Sequence, residues 1–144
     1  MTEKITAEEF VIGIDPDVDK SGFAYWIMGQ KLRLEQYDLH DTFFTLMNLR
    51  ENCFVRLEAG WLIKKRNWNG GGFAGAGDVG RNHEIGRQIE KFCKRFNITY
   101  TLVKPCGLSQ INHATFCKIT GWPIKELTNP EKRVAGLLAF NKNI

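Results

Sequence analysis

Phe10-Val-Ile-Gly-Ile-Asp15-Pro16 and Ser21-Gly-Phe-Ala-Tyr-Trp-Ile-Met28 are the two runs whose reading decides the fold of this chain. The first is an apolar run of strand length that ends in a carboxylate. A polar turn follows, in which Asp17 and Asp19 are turn residues. The second run is again apolar and rich in aromatic and β-branched side chains, so it predicts a second strand. Gly29-Gln30 predicts a tight hairpin turn. Lys31-Leu-Arg-Leu-Glu-Gln-Tyr37 then alternates polar and apolar residues, as a half-exposed third strand does.

Beyond this three-stranded beginning the period changes. Asp41 is a suitable N-cap for a helix through Phe43, Phe44, Leu46 and Met47. Cys53-Phe-Val-Arg-Leu-Glu58 is a fourth strand, and it too ends in an acid. Trp61 to Gly77 reads as a loop, with Asn69 and glycines at 70, 71, 72, 75 and 77. Ile85, Ile89, Phe92, Cys93 and Phe96 form an apolar stripe that predicts a long helix over about Asp78 to Phe96. Ile98 to Val103 is a fifth strand stopped by Pro105, and a short helix from His113 to Ile119 ends at Gly121. Asn129 caps a final helix with Pro130 in its first turn and Glu131 set against its dipole. Val134, Ala135, Leu137 and Leu138 face that helix toward the sheet. The order βββαβαβα predicts an α/β domain spanning 1–144: a mixed five-stranded sheet with helices on both faces.

Composition narrows the function classes. Hydrophobic residues make up 43% of the 144, enough for one packed core. No apolar run approaches the length of a membrane span. The first ten residues, MTEKITAEEF, carry acids and no apolar core, so no signal peptide is expected. Cys53, Cys93, Cys106 and Cys117 contain no CxxC pair and read as reduced thiols, which places the expected location in the cytoplasm. Cys106, His113 and Cys117 lack a fourth ligand for structural zinc. The net charge is +4, unevenly spread: Gly60 to Asn97 holds eight bases and three acids, a net +5, and the remainder is −1. A basic region beside a mildly acidic remainder suits a polyanionic partner.

Asp15 and Glu58 each end a hydrophobic strand. Burying an unpaired carboxylate is costly, so neither belongs to the core. If the two strands are neighbours, both carboxylates project at one sheet edge, an oxygen site for a hard divalent cation such as Mg²⁺ or Mn²⁺. Such ions serve phosphodiester cleavage by activating water and stabilising the leaving oxygen.

Ile12-Gly-Ile-Asp15-Pro16 with Ser21-Gly22-Phe-Ala24 resembles the first-strand signature of the RuvC-type Holliday-junction resolvases. Val55-Arg-Leu-Glu58-Ala resembles their fourth-strand motif, and Asn129-Pro-Glu131-Lys-Arg133-Val134-Ala135-Gly-Leu-Leu138 their last helix. The resemblance runs from about Phe10 to Phe140. It implies an RNase H-like fold and a metal-dependent endonuclease on branched DNA such as four-way junctions. It also implies a homodimer that cuts symmetric strands. Catalysis and metal binding would fall to Asp15, Glu58 and Glu131. The sequence departs from the pattern at Val134, where the family carries an aspartate. Glu131, one turn earlier on the same face, is then the third carboxylate. The alternative is an inactive module of the same fold that binds branched nucleic acid without cutting it.

The basic segment supplies the expected nucleic-acid contacts: Lys64, Lys65, Arg66, Trp68, Arg81 and Arg87. Asp78 to His83 is expected to open the long helix and offer backbone N–H groups to a phosphate. Gly75-Ala-Gly77-Asp-Val-Gly80 matches GxGxxG, but no strand directly precedes it and no acid lies in Ile98 to Val103, so a dinucleotide site is not expected. His40, His83 and His113 read as surface or locally satisfied histidines, with His83 near enough to the loop to touch DNA.

Overall fold

The computed structural model describes residues 10–27, 31–63 and 73–140, the side chains at 73–76 and 78 excepted. Five strands form one sheet: β1 (Phe10–Asp15), β2 (Ser21–Ile27), β3 (Leu32–Tyr37), β4 (Cys53–Glu58) and β5 (Thr99–Val103). Their spatial order is β3-β2-β1-β4-β5. The first three strands run antiparallel, whereas β4 and β5 lie parallel to β1. This is the mixed five-stranded sheet expected from the strand periodicities. The helices are α1 (Leu39–Leu49), α2 (Phe73–Arg95), α3 (His113–Thr120) and α4 (Pro130–Phe140).

Strand alternation divides the core between two faces. Ile12, Ile14, Phe23, Tyr25, Val55 and Leu57 pack with Leu46 of α1 and with Ile89 and Cys93 of α2. On the other face Ala24, Leu32 and Leu34 pack with Phe116 and Cys117 of α3 and with Val134 to Ala139 of α4. Phe43 of α1 stacks on Phe92 of α2, ring centroids 4.4 Å apart, which ties the two helices of the first face together.

Helix α4 approaches the sheet at backbone distance because β1 and β2 carry glycines beneath it. A Cβ at Gly13 would lie 2.0 Å from the Ala135 carbonyl oxygen and 2.7 Å from the Ala139 nitrogen. Those atoms are helix backbone and cannot step aside. Gly13→Ala is therefore expected to lower stability by about 3 kcal/mol or more, because it overpacks a rigid contact. A urea titration followed by circular dichroism measures this directly. A loss below about 1 kcal/mol would show that α4 can lift from the sheet.

Two boundaries differ from the sequence expectation. Helix α1 is capped by Asp38, whose Oδ1 accepts the Asp41 N–H at 2.8 Å, and not by Asp41. Capping at Asp38 leaves Asp41 in the first turn, where its charge suits the helix dipole, so both acids are used. Helix α2 begins at Phe73, about one and a half turns before the expected start. Glycine weakens a helix by roughly 1 kcal/mol per residue but does not forbid it, and the long amphipathic body of α2 carries the glycine-containing first turns. GxGxxG thus lies inside a helix, and residues 78–83 do not open one. Their N–H groups face carbonyls four residues earlier, so no phosphate-binding helix end exists there. Elsewhere the expected caps hold. Asn129 Oδ1 accepts the Lys132 N–H at 2.9 Å, and Gly121 closes α3 in the left-handed region at φ 78°. The expected turn at Gly29-Gln30 lies outside the described residues.

Candidate functional site

Parallel pairing of β1 with β4 builds the site. The last paired rung joins Ile14 to Leu57, so Asp15 and Glu58 follow it side by side at one edge of the sheet. Both belong to the face that α4 covers. Their strand neighbours two residues back, Gly13 and Arg56, touch that helix. The register between β1 and β2 sets Gly22 opposite Asp15. A Cβ at Gly22 would lie 2.2 Å from the Glu131 carbonyl oxygen and 3.3 Å from Glu131 Cβ. Glu131 therefore sits over Gly22 at the open end of α4, beside Asp15.

The electrostatics follow from this crowding. The Asp15 carboxyl is raised from 3.8 to about 8, by burial first and then by the charges of Glu58, Glu131 and Asp17. Burial also raises Glu58, against which its hydrogen bond with Asp15 works in the opposite direction. The pair is best described as two carboxylates sharing one proton, held on Asp15 and accepted by Glu58. Both groups remain half-buried and so reachable from solvent. Among the described residues no group of three or more His, Cys, Asp or Glu is gathered closely enough to hold a metal ion as it stands. The donor set nevertheless has the chemistry of a hard-cation site: two adjacent carboxylates joined by a hydrogen bond, with the charges of Glu58 and Glu131 both acting on Asp15.

The surroundings of the pair are tied down. Asp17 N–H donates to Ser21 Oγ at 3.1 Å, and Val18 N–H donates to Asn82 Oδ1 of α2 at 2.7 Å. Asp17 and Asp19 serve the turn, Asp17 Oδ1 accepting the Asp19 N–H at 2.9 Å. The N-terminus of α4 is fixed by Asn129, which donates to Gln36 Oε1 at 3.0 Å, and by Arg133, which donates to the Ile111 carbonyl at 2.9 Å. At its other end Arg56, 4% exposed, donates to the Leu138 carbonyl at 3.0 Å. Val134, one turn after Glu131, is 1% exposed and belongs to the apolar core.

Of the expected nucleic-acid contacts, Arg81 and Arg87 are exposed on α2. The Arg87 guanidinium lies 5.8 Å from the centre of the Trp61 ring, a cation–π contact that presents it beside the segment after Glu58. Lys64, Lys65, Arg66 and Trp68 lie outside the described residues. His113 Nδ1 pairs with Thr128 Oγ1 and its Nε2 with the Ile124 carbonyl, each at 2.8 Å. Sequence reasoning missed the contacts of Asn82 and His83 with the loops after β1 and β4. No local pattern signals them, since both partners lie more than twenty residues away.

No protein-family model matches the sequence, and no curated protein matches it. Solved structures do. The chain is similar to Thermus thermophilus RuvC, with a TM-score of 0.53, 17% identity, and coverage of 91% of this chain and 90% of that one. It is also similar to T. thermophilus RuvC in complex with Holliday junction substrate, with a TM-score of 0.55, 12% identity, and coverage of 92% and 90%. Each match covers about nine-tenths of both chains, so this chain has the mixed-sheet α/β fold that RuvC takes.

Proposed function

We propose that this protein is a metal-dependent endonuclease that cleaves phosphodiesters in branched DNA such as four-way junctions. One observation carries the reading. Two carboxylates end adjacent parallel strands and share a proton, and a third carboxylate, Glu131 of α4, acts on Asp15. A lone structural acid has no use for such repulsion, but a divalent cation relieves it. Asp15, Glu58 and Glu131 would hold Mg²⁺ or Mn²⁺, which when bound supplies an activated water and charge stabilisation at the leaving oxygen. The residues of the chain do the rest. Asp15, the protonated member of the pair, would have to release its proton to act as a ligand. The Asn129 and Arg133 contacts keep Glu131 at the open end of α4. Arg81 and Arg87, with Lys64, Lys65, Arg66 and Trp68, take the DNA backbone and unpaired bases.

The solved complex of RuvC with Holliday junction substrate supports branched DNA as the substrate class. A homodimer in the cytoplasm completes the reading, since symmetric cutting of a junction needs two sites. Among the described residues no helix is long and apolar enough to cross a membrane. One observation favours a second reading, a module that grips branched DNA without cutting: Val134 is buried in the core, which limits the site to three carboxylates.

The test is cleavage of a labelled four-way junction with Mg²⁺ or Mn²⁺, alongside a linear duplex of the same sequence. Junction-selective nicking is expected, with loss of about 10³-fold or more in Glu58→Gln. Tight junction binding without nicking would select the second reading. Neither binding nor nicking would remove both.

A further inference from the structure

The segments that leave the two acidic strands are both clamped to α2, and the clamp is reciprocal. A Cβ at Gly60, two residues after Glu58, would lie 2.7 Å from His83 Nε2 and 3.1 Å from His83 Cδ2. A Cβ at Gly86 would lie 2.3 Å from the Trp61 ring and 3.2 Å from Pro16 Cγ. The imidazole of α2 thus rests on the glycine of the loop, and the indole of the loop rests on the glycine of the helix. The Trp61 and His83 rings meet edge to face, centroids 6.4 Å apart. Gly60 is not in the left-handed region, so its backbone would accept an alanine. A methyl there would have to push the ring aside.

We propose that His83 is a positioning residue for Glu58. Its ring, seated on Gly60, fixes the course of Ala59 to Trp61 and so the direction in which the strand-end carboxylate leaves β4. The other end of this short segment is also held: Ala59 N–H donates to the Val103 carbonyl of β5 at 2.8 Å, and Leu62 N–H returns to the Ala59 carbonyl at 3.1 Å. Between those bonds the imidazole rests on Gly60, and the Trp61 ring rests on Gly86 of the same helix. Asn82, the neighbouring residue of α2, holds the loop after Asp15 through Val18. One turn of one helix therefore sets both carboxylates. This inference rests on the metal-binding part of the proposed function and not on the cleavage step.

Gly60→Ala, His83→Ala and the double variant test it. Two quantities are read: the Mn²⁺ concentration that gives half-maximal thermal stabilisation, and the melting temperature in chelator. A methyl at position 60 must displace the ring, so Gly60→Ala is expected to raise the Mn²⁺ midpoint about 10-fold. Its melting temperature in chelator should stay within a few degrees of wild type. Removing the ring as well frees the space. Gly60→Ala/His83→Ala should then show the midpoint of His83→Ala alone, so the two changes are far from additive. Equal midpoints in wild type and Gly60→Ala, or fully additive effects in the double variant, would overturn the proposal. Should wild type bind Mn²⁺ without cutting any junction, the nuclease reading falls and the same midpoints still decide the role of His83. No stabilisation of wild type by Mn²⁺ would remove the positioning role together with the metal site.

Discussion

Asp15→Asn is expected to abolish junction cleavage and, in chelator above pH 8, to make the protein more stable than wild type. The two effects have one origin. Asp15 is the carboxyl raised to about 8, by burial first and then by Glu58, Glu131 and Asp17. Its value in the unfolded chain is near 4. Between those limits the folded protein keeps the proton that the unfolded chain has released. Its stabilising contribution is complete below about pH 4 and is lost as pH rises toward 8. Above pH 8 the folded wild type carries an ionised Asp15 against its acidic neighbours. Asparagine keeps the shape and the hydrogen bond to Glu58 without the charge. The gain should be on the order of a few kcal/mol above pH 8 and should vanish near pH 4. A divalent cation reverses the ranking, because it stabilises the wild-type pair and finds one ligand fewer in the variant. Melting curves of both proteins from pH 5 to 9, with chelator and with Mn²⁺, measure all four corners. Cleavage should fall about 10³-fold or more. A variant less stable than wild type at pH 9 in chelator would mean that Asp15 is not held in repulsion, and the cation site would lose its physical basis.

What made the acids legible was their position in the pattern. An apolar strand that ends in a carboxylate has placed that group where the core stops, and Asp15 and Glu58 both have this form. Their adjacency needed one further fact, the parallel pairing of β1 and β4, which follows from the βαβ order. Glu131 was legible only through the last-helix motif. Nothing in Pro130-Glu131-Lys132 separates a first-turn dipole partner from a ligand; the structure adds that Glu131 lies against Gly22, the residue paired with Asp15. The glycines were the weakest part of the reading. Gly75 and Gly77 read as loop in the sequence, although helix α2 runs through them. Gly13, Gly22, Gly60 and Gly86 carry the closest contacts around the site, yet each looks like an unremarkable residue in its own segment. Contact between a glycine and a group 23 or more residues away has no periodicity to reveal it.

Val134→Asp sets the resolvase pattern against the packing of this chain, and packing is expected to win. The pattern puts an acid at position 134, one turn from Glu131 and on the same face. In this chain the position is 1% exposed, within the cluster that includes Ala24, Leu34, Phe116 and Leu138. An aspartate there must ionise in an apolar setting or stay protonated without a partner, and either state costs about 3 kcal/mol or more. The melting temperature should fall by about 10 °C in chelator. Helix α4 has little freedom to roll the new carboxylate toward Asp15. Arg56 and Arg133 grip it near both ends, and Gly13 and Gly22 hold its backbone against the sheet. Cleavage is therefore expected not to rise, and Mn²⁺ to recover little of the lost stability. A rise of about 10-fold in cleavage, with stability restored by Mn²⁺, would mean that position 134 can turn into the site, so that valine there withholds a ligand the fold is ready to use.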